Sequence, residues 1–222
     1  FHIFRGLAMV KRQQAGAMMA EHDGHLGAVY GAKAPEEIAA VYDAWAETYD
    51  AEMAEAGYRH PTIGMALLAR HLPKGAGPIL DAGVGTGLTG AWFGILGWTD
   101  VHGIDISEGM LAVAARKGAY ARLSRAVLGG PLDMADGAYA AVISTGVFTT
   151  GHVGAEALPE LLRILRPGGV LVLTVKETLW QGGFETALKG LPLELLEVSE
   201  PYVSMPGEAA TTPSRALAAR RR

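Results

Sequence analysis

The sequence predicts an α/β fold built on a doubly wound, mostly parallel sheet, and three observations carry that expectation. Strand-like and helix-like segments alternate along most of the chain, the pattern of a sheet covered by helices on both faces. Ala140–Thr145 and Val170–Val175 are apolar enough to be strands buried on both sides. A short run at Ile79–Leu80 feeds glycines at every second position, Gly83, Gly85 and Gly87, and then a helical segment. In such sheets ligands lie at the carboxyl ends of the strands.

Taken in order, residues 1–33 hold no sustained period and are expected to be disordered or loosely docked, with residues 34–220 forming a single domain. Lys11 and Arg12 follow the apolar start instead of preceding it, the wrong order for a secretory signal. Pro35 suits the first turn of a helix running to Trp45, with Ile38, Val41, Tyr42 and Trp45 on one face. Pro61 opens the next helix, and the stretch from Pro73 to Pro78 links it to the sheet. Beyond the glycines, the pattern predicts a helix from Thr86 to Leu96 and a second strand over Val101–Asp105. Ser107 is an expected helix N-cap with Glu108 in the first turn. A third strand is expected over Arg122–Leu128. Leu195–Val203 and Ser214–Ala219 are expected to close the sheet as an edge hairpin.

The chemistry concentrates between Asp81 and Asp105. Glycine lets a ligand reach the main chain, and the start of the following helix presents backbone N–H groups and a positive dipole end. Asp105 ends the second strand, 24 residues after Asp81, where a carboxylate can accept both ribose hydroxyl hydrogens of an adenosine group. A nucleoside-containing cofactor is therefore expected. Gly85-Thr86-Gly87-Leu88-Thr89-Gly90 also satisfies the dinucleotide fingerprint G-x-G-x-x-G, with Asp105 20 residues after Gly85. An NAD-dependent oxidoreductase thus stays open, although the chain has little room for a second mononucleotide half and a substrate domain. Against it, Asp81 would repel a pyrophosphate but could bind a cationic amino-acid group, which S-adenosylmethionine carries.

With Leu161-Leu162-Arg163-Ile164-Leu165-Arg166-Pro167-Gly168-Gly169 and its following strand, the sequence resembles the class I S-adenosylmethionine-dependent methyltransferases. Their first motif is D-x-G-x-G-x-G and a later strand follows L-x-P-G-G. Val41–Asp50, with its Y-D-x-W-A-x-x-Y-D pattern, Gly57–Pro61, Gly146–Val153 and Pro201–Glu208 narrow the likeness. Together they are similar to the methyltransferase-like proteins named after the Williams–Beuren syndrome chromosome region, and to bacterial relatives. The resemblance covers about Pro35 to Arg220. It implies a Rossmann-like sheet with an antiparallel C-terminal edge strand, the N-terminal helices forming a lid.

By the same resemblance the cofactor is S-adenosyl-L-methionine. Gly83, Gly85, Thr86 and Gly87 would approach its methionine part, with Asp81 orienting the amino-acid end and Asp105 holding the ribose. Ile106 and Met110 would flank the adenine, and Trp45 and Tyr49 would touch the ligand from the lid, with core packing of these two aromatics an equal reading. Many members carry Asp-Leu after the third strand, where this chain has Val127-Leu128, so adenine recognition is expected to rest on backbone or apolar contacts. The usual aromatic-Asp pair before the fourth strand is Tyr139-Ala140 here. His152, in the loop after the fourth strand, is the candidate catalytic base; a structural histidine in a turn is an equal reading.

Composition narrows the partners. The net charge of −4 and pI near 6.0 argue against nucleic acid, and no stretch approaches the ~20 apolar residues of a membrane helix. Absence of cysteine excludes disulfides and thiolate metal sites, and no H-E-x-x-H pattern suggests any other metal. The expectation is a cytoplasmic methyltransferase, monomer or dimer, acting on a small-molecule methyl acceptor without a metal. A protein that holds the cofactor without turnover is the alternative.

Overall fold

A computed structural model describes residues 25–32, 34–149, 152–208 and 211–222. Its strands are β1 (Ile79–Ala82), β2 (Val101–Asp105), β3 (Arg122–Arg125), β4 (Tyr139–Phe148), β5 (Leu165–Lys176), β6 (Leu193–Val198) and β7 (Ser214–Arg221). They form one sheet in the order β3-β2-β1-β4-β5-β7-β6. The first five pair in parallel. The C-terminal strand β7 is antiparallel and slots between β5 and β6, so that β6 is the edge. The strand order reverses between β1 and β4, which opens a crevice at their carboxyl ends.

Several boundaries differ from the sequence reading, each for a local reason. The helix after the glycines begins at Gly90, not Thr86, as α5 (Gly90–Leu96 in the chain numbering). Before it the chain makes tight turns, with Gly87 N–H donating to the Val84 carbonyl and Gly90 N–H to that of Gly87. Strand β3 stops at Arg125, because its partner β2 ends opposite it at Asp105; Ala126–Leu128 then turn towards the crevice. In β5, Arg166-Pro167-Gly168-Gly169 bulges out, since Leu165 pairs with Tyr139 and Val170 with Ala141. The expected hairpin is β6 and β7, joined by a long connection whose Tyr202 bridges Ser214.

Among the described residues, four helices precede the sheet: α1 (His25–Gly31), α2 (Pro35–Trp45), α3 (Tyr49–Glu55) and α4 (His60–His71). Helix α1 lies in the segment expected to be disordered or loosely docked; residues 1–24 and Lys33 are outside the described residues. Val29, Trp45, Met53, Ala56 and Met205 make a buried cluster of their own above the crevice. The remaining helices are α6 (Glu108–Arg116), α7 (Leu158–Ile164), α8 (Glu177–Leu179) and α9 (Glu185–Lys189).

Side-chain alternation splits the sheet into two apolar faces. Ile79, Ala141, Ile143, Val170, Val172, Ala216 and Ala218 face Met65, Leu67 and Leu68 of α4, together with Phe93 of α5 and Trp98. Leu80, Val142, Leu171, Leu173, Leu217 and Ala219 face Leu158, Leu161 and Leu162 of α7, Trp180 and Phe184. Phe93 is fully buried, edge-on to Trp98 and Tyr120, and fixes α5 on the sheet. Phe93→Ala should cost about 3–5 kcal/mol of folding free energy, as other large aromatic deletions do. Urea unfolding checks this, and a loss below about 1 kcal/mol would show that α5 is not held by this contact.

Candidate active site

The loop leaving β1 enters the left-handed region three times, at Gly83 (φ 78°), Gly85 (φ 53°) and Gly87 (φ 79°). Two of these glycines answer different needs. A methyl group on Gly83 would lie inside the Val147 side chain, whereas one on Gly85 would point into open space. Gly83 is thus demanded by packing, while Gly85 bares its backbone to the crevice. Its N–H donates to Asp105 Oδ2 at 2.8 Å, and Ser107 N–H donates to Oδ1 at 2.9 Å. Asp105 therefore ties the loop to the tip of β2 and still has acceptor lone pairs on both oxygens. Burial pushes its pKa up, against the pull of the backbone N–H groups of Ser107, Gly85 and Ile106.

Above the loop lies a cleft enclosing about 910 Å³ of empty space, its open mouth included. Gly83, Gly85 and Asp105 form one side, and Ile106, Met110, Val127 and Leu128 form an apolar wall. Tyr42, Tyr49 and Tyr58 reach in from the N-terminal helices, with Thr145, Gly146 and His152 at the far end. An acceptor carboxylate beside an apolar slot fits a nucleoside, whose hydroxyls donate and whose base has apolar faces. Among the described residues lining the cleft there is no lysine or arginine. A pyrophosphate there would meet the Asp105 charge with no side-chain cation to balance it, which argues against a dinucleotide.

The Y-D-x-W-A-x-x-Y-D segment clamps the N-terminal helices onto this site. Asp43 Oδ1 accepts from the Ser107 hydroxyl at 2.6 Å and from Gly109 N–H at 2.8 Å. Ser107 in turn caps α6, its Oγ accepting from Met110 N–H as the sequence predicts. Asp50 accepts from the Thr86 hydroxyl at 2.5 Å and pairs with Lys117 at 2.5 Å. The Trp45 indole N–H donates to Glu52 at 2.8 Å, and Ala46 packs on Met110 and Val113. Tyr49 is half-buried and hydrogen-bonded to Tyr58; desolvation, first among the causes, holds its phenol well above the usual tyrosine range.

The sequence-predicted residues divide accordingly. Gly83, Gly85, Asp105, Ile106, Met110, Tyr49 and His152 come together around the cleft. Trp45 is buried under the lid, away from that cleft, and Gly87 faces Tyr120 and Ala114. Thr86 is buried, its hydroxyl spent on Asp50. Asp81 does not reach the cleft either. Its carboxylate is sealed behind the loop, accepting from the Thr89 hydroxyl and from Tyr120 OH at 2.8 Å. An ordering role at the cofactor's amino-acid end is therefore replaced by a structural one. His152 is also differently employed. Its Nε2 lies 3.1 Å from the Val29 carbonyl, an acceptor only, so Nε2 carries the proton. Nδ1 then accepts from the Thr149 hydroxyl at 2.6 Å, and in this arrangement neither nitrogen is turned to a substrate as a base. Thr150 and Gly151, inside the same motif, lie outside the described residues. Sequence reading held Asp43, Asp50 and Tyr58 in its motifs but gave them no site role; the signal was the pair of aspartates seven residues apart in the Y-D-x-W-A-x-x-Y-D segment.

Burial pushes the Asp81 pKa up to about 6, only partly offset by the Thr89 and Tyr120 hydrogen bonds, with Asp105 adding to the rise. The folded protein thus holds this proton more tightly than the unfolded chain. The resulting stabilisation is complete below about pH 4 and is lost as the pH rises through about 6. Relative to Asp81→Asn, the wild type should lose on the order of 1–3 kcal/mol between pH 4 and pH 7 in urea unfolding. A pH-independent difference would mean that Asp81 is ionised throughout.

Comparison with known proteins agrees with this geometry. Residues 80–173 match a family described as a methyltransferase domain. The chain is 36% identical over 170 residues to human methyltransferase-like protein 27, covering 74% of this chain and 68% of that protein. It is 32% identical over 214 residues to a demethylmenaquinone methyltransferase of Parafrankia sp. (strain EAN1pec), covering 80% and 84%. Its fold is similar to that of a TehB-like S-adenosylmethionine-dependent methyltransferase from Corynebacterium glutamicum, with a TM-score of 0.62 at 22% identity, covering 82% and 99% of the two chains. A seven-stranded sheet of this order, a glycine loop held by a carboxylate at the tip of β2 and these relatives lead to one assignment: the chain belongs to the class I S-adenosylmethionine-dependent methyltransferases.

Proposed function

We propose that this methyltransferase modifies a small organic molecule, with Asp105 holding the ribose of S-adenosylmethionine and Gly83 and Gly85 lying against its methionine part. Ile106, Met110, Val127 and Leu128 supply the apolar slot for the adenine, in place of the carboxylate that many family members use. The observation that carries the reading is the apolar lining of the cleft. Tyr42, Tyr49 and Tyr58 line it from the N-terminal helices opposite Ile106, Met110, Val127 and Leu128, which suits a small organic acceptor. The bacterial relative, by its name a demethylmenaquinone methyltransferase, supports the same acceptor class.

S-adenosylmethionine supplies an activated methyl group on a sulfonium with a good leaving group. The protein's own task is then positioning and exclusion of water. Asp105 and the loop backbone fix one end of the site, and the apolar wall fixes the plane of the base. The tyrosines of the lid close over the remaining opening, and the Asp43 and Asp50 clamps hold that lid to the loop and to α6. His152 secures the loop after β4 to α1 through Thr149 and Val29.

A methyl-transfer assay with labelled cofactor over a metabolite panel tests the acceptor class. Label is expected in a small molecule; label only in protein or RNA would overturn it. Asp105→Ala should weaken binding of S-adenosylhomocysteine by roughly 1.5–3 kcal/mol, because a charged acceptor of two hydroxyls is lost. Calorimetry on the folded variant reads this, and unchanged affinity would remove Asp105 from the ribose site. Tyr49→Ala separates lid from core. A lid residue predicts near-normal apo stability with a reduced melting shift on adding S-adenosylhomocysteine. A core residue predicts a loss of roughly 3–5 kcal/mol with the shift unchanged.

A further inference from the structure

Beside the cleft lies a second, partly open recess of about 460 Å³ of empty space, its open mouth included, which shares Tyr42, Tyr49, Tyr58, Gly146 and His152 with it. Its other walls are largely apolar, including Trp45, Met53 and Met205. Two polar groups there are incompletely satisfied. Lys176, at the end of β5, is 7% exposed, and its ammonium donates to the Thr212 carbonyl at 2.9 Å. Among the described residues no carboxylate pairs with it, and the neighbouring Glu177 is committed to Arg215 at 2.7 Å. Ser204 is fully buried, and among the described residues its hydroxyl has no hydrogen-bond partner. The remaining titratable wall, His60, adds no charge. Burial and then the nearby Lys176 push its pKa down to about 3, and its ring is engaged by Tyr202 OH at 2.7 Å and Ser214 Oγ at 3.5 Å. Tyr49 and Tyr58 are bonded to one another, and His152 is bonded to Thr149 and to the Val29 carbonyl.

Among the described residues the chamber therefore carries one buried positive charge and an orphaned hydroxyl, with no acidic residue in its lining. Leaving a cation desolvated and unpaired is costly, and a buried hydroxyl without a partner adds to that cost. Building on the proposed small-molecule function, we infer that the acceptor is a small carboxylic acid with an apolar or aromatic body, whose carboxylate is held by Lys176 and Ser204. The carboxylate offers acceptor lone pairs to the remaining ammonium hydrogens and to the Ser204 hydroxyl. Trp45, Met53 and Met205 pack on the body, and the shared boundary at Tyr49, Tyr58 and Gly146 leaves the rest of the molecule facing the cofactor cleft.

The test uses the full chain loaded with S-adenosylhomocysteine, whose own binding is first measured by calorimetry. Benzoate and phenylacetate are then titrated against the matched neutral amides, benzamide and phenylacetamide, at constant ionic strength. The acids should bind at least about tenfold more tightly than the amides. Lys176→Met should erase that preference while keeping or raising the apo melting temperature, since it removes an unpaired buried charge. Ser204→Ala should weaken the acids severalfold and leave the amides unchanged. Where Lys176→Met does not fold, Lys176→Gln carries the same comparison. Equal binding of acids and amides, no saturable binding of either, or a preference that survives in the Lys176 variant would overturn the inference. Loss of S-adenosylhomocysteine binding to the wild type would instead overturn the reading of the main cleft.

Discussion

The glycine loop after β1 is held by two carboxylates at the tips of adjacent strands, and the rest of the site is arranged around that restraint. Asp105 accepts the Gly85 N–H from beside the loop, while Asp81 accepts the Thr89 and Tyr120 hydroxyls from behind it. A loop with three left-handed glycines has little intrinsic preference for one shape, because glycine loses more conformational freedom on folding than any other residue. Bonds from both sides offset that entropy. They also set where α5 begins, and hence the direction in which the loop's backbone faces the cleft. Asp81 carries a raised pKa as the cost of its buried position, and Asp105 keeps part of its accepting capacity for a ligand.

A second restraint joins the lid to the same loop. Asp43 caps the N-terminus of α6 from outside, supplementing Ser107, and Asp50 binds Thr86 within the glycine loop itself. Hydrogen bonds of this partly buried kind are worth more than the exposed pair of Glu47 with Arg116 nearby, which water screens. Any displacement of α2 and α3 is thereby felt at the residues that line the cofactor cleft. The lid and the loop act as one mechanical unit, which suits an enzyme whose main task is to fix two reactants and keep water out.

The far side of the cleft has a different character. Among the described residues the cleft has one carboxylate, Asp105, whereas the chamber beyond Tyr49 and Tyr58 holds a single cation among mostly apolar side chains. The separation divides recognition between the two reactants: hydroxyl donors are favoured at one end and an anion at the other. The connection between β6 and β7 supplies part of this second wall through Ser204 and Met205, so the C-terminal strands contribute to the acceptor side as well as to the sheet.

The sequence by itself determined the parallel α/β layout, the positions of β1, β2 and α2, and the Ser107 cap. Those features are local: periodicity, glycine spacing and capping chemistry are fixed by residues a few positions apart. What the sequence could not decide was the direction in which buried polar groups point. Asp81 sits in the same motif as Asp105 but is turned behind the loop, because Thr89 and Tyr120, eight and 39 residues away, meet it there. His152 looks like a base in one dimension and is a strut in three, since its partners are the adjacent Thr149 and the distant Val29. Lys176 and Ser204 carry no motif at all and come together only because β5 and the β6–β7 connection end at the same chamber. Hydrogen bonding between groups far apart in the chain is a property of packing, and only the tertiary structure decides it.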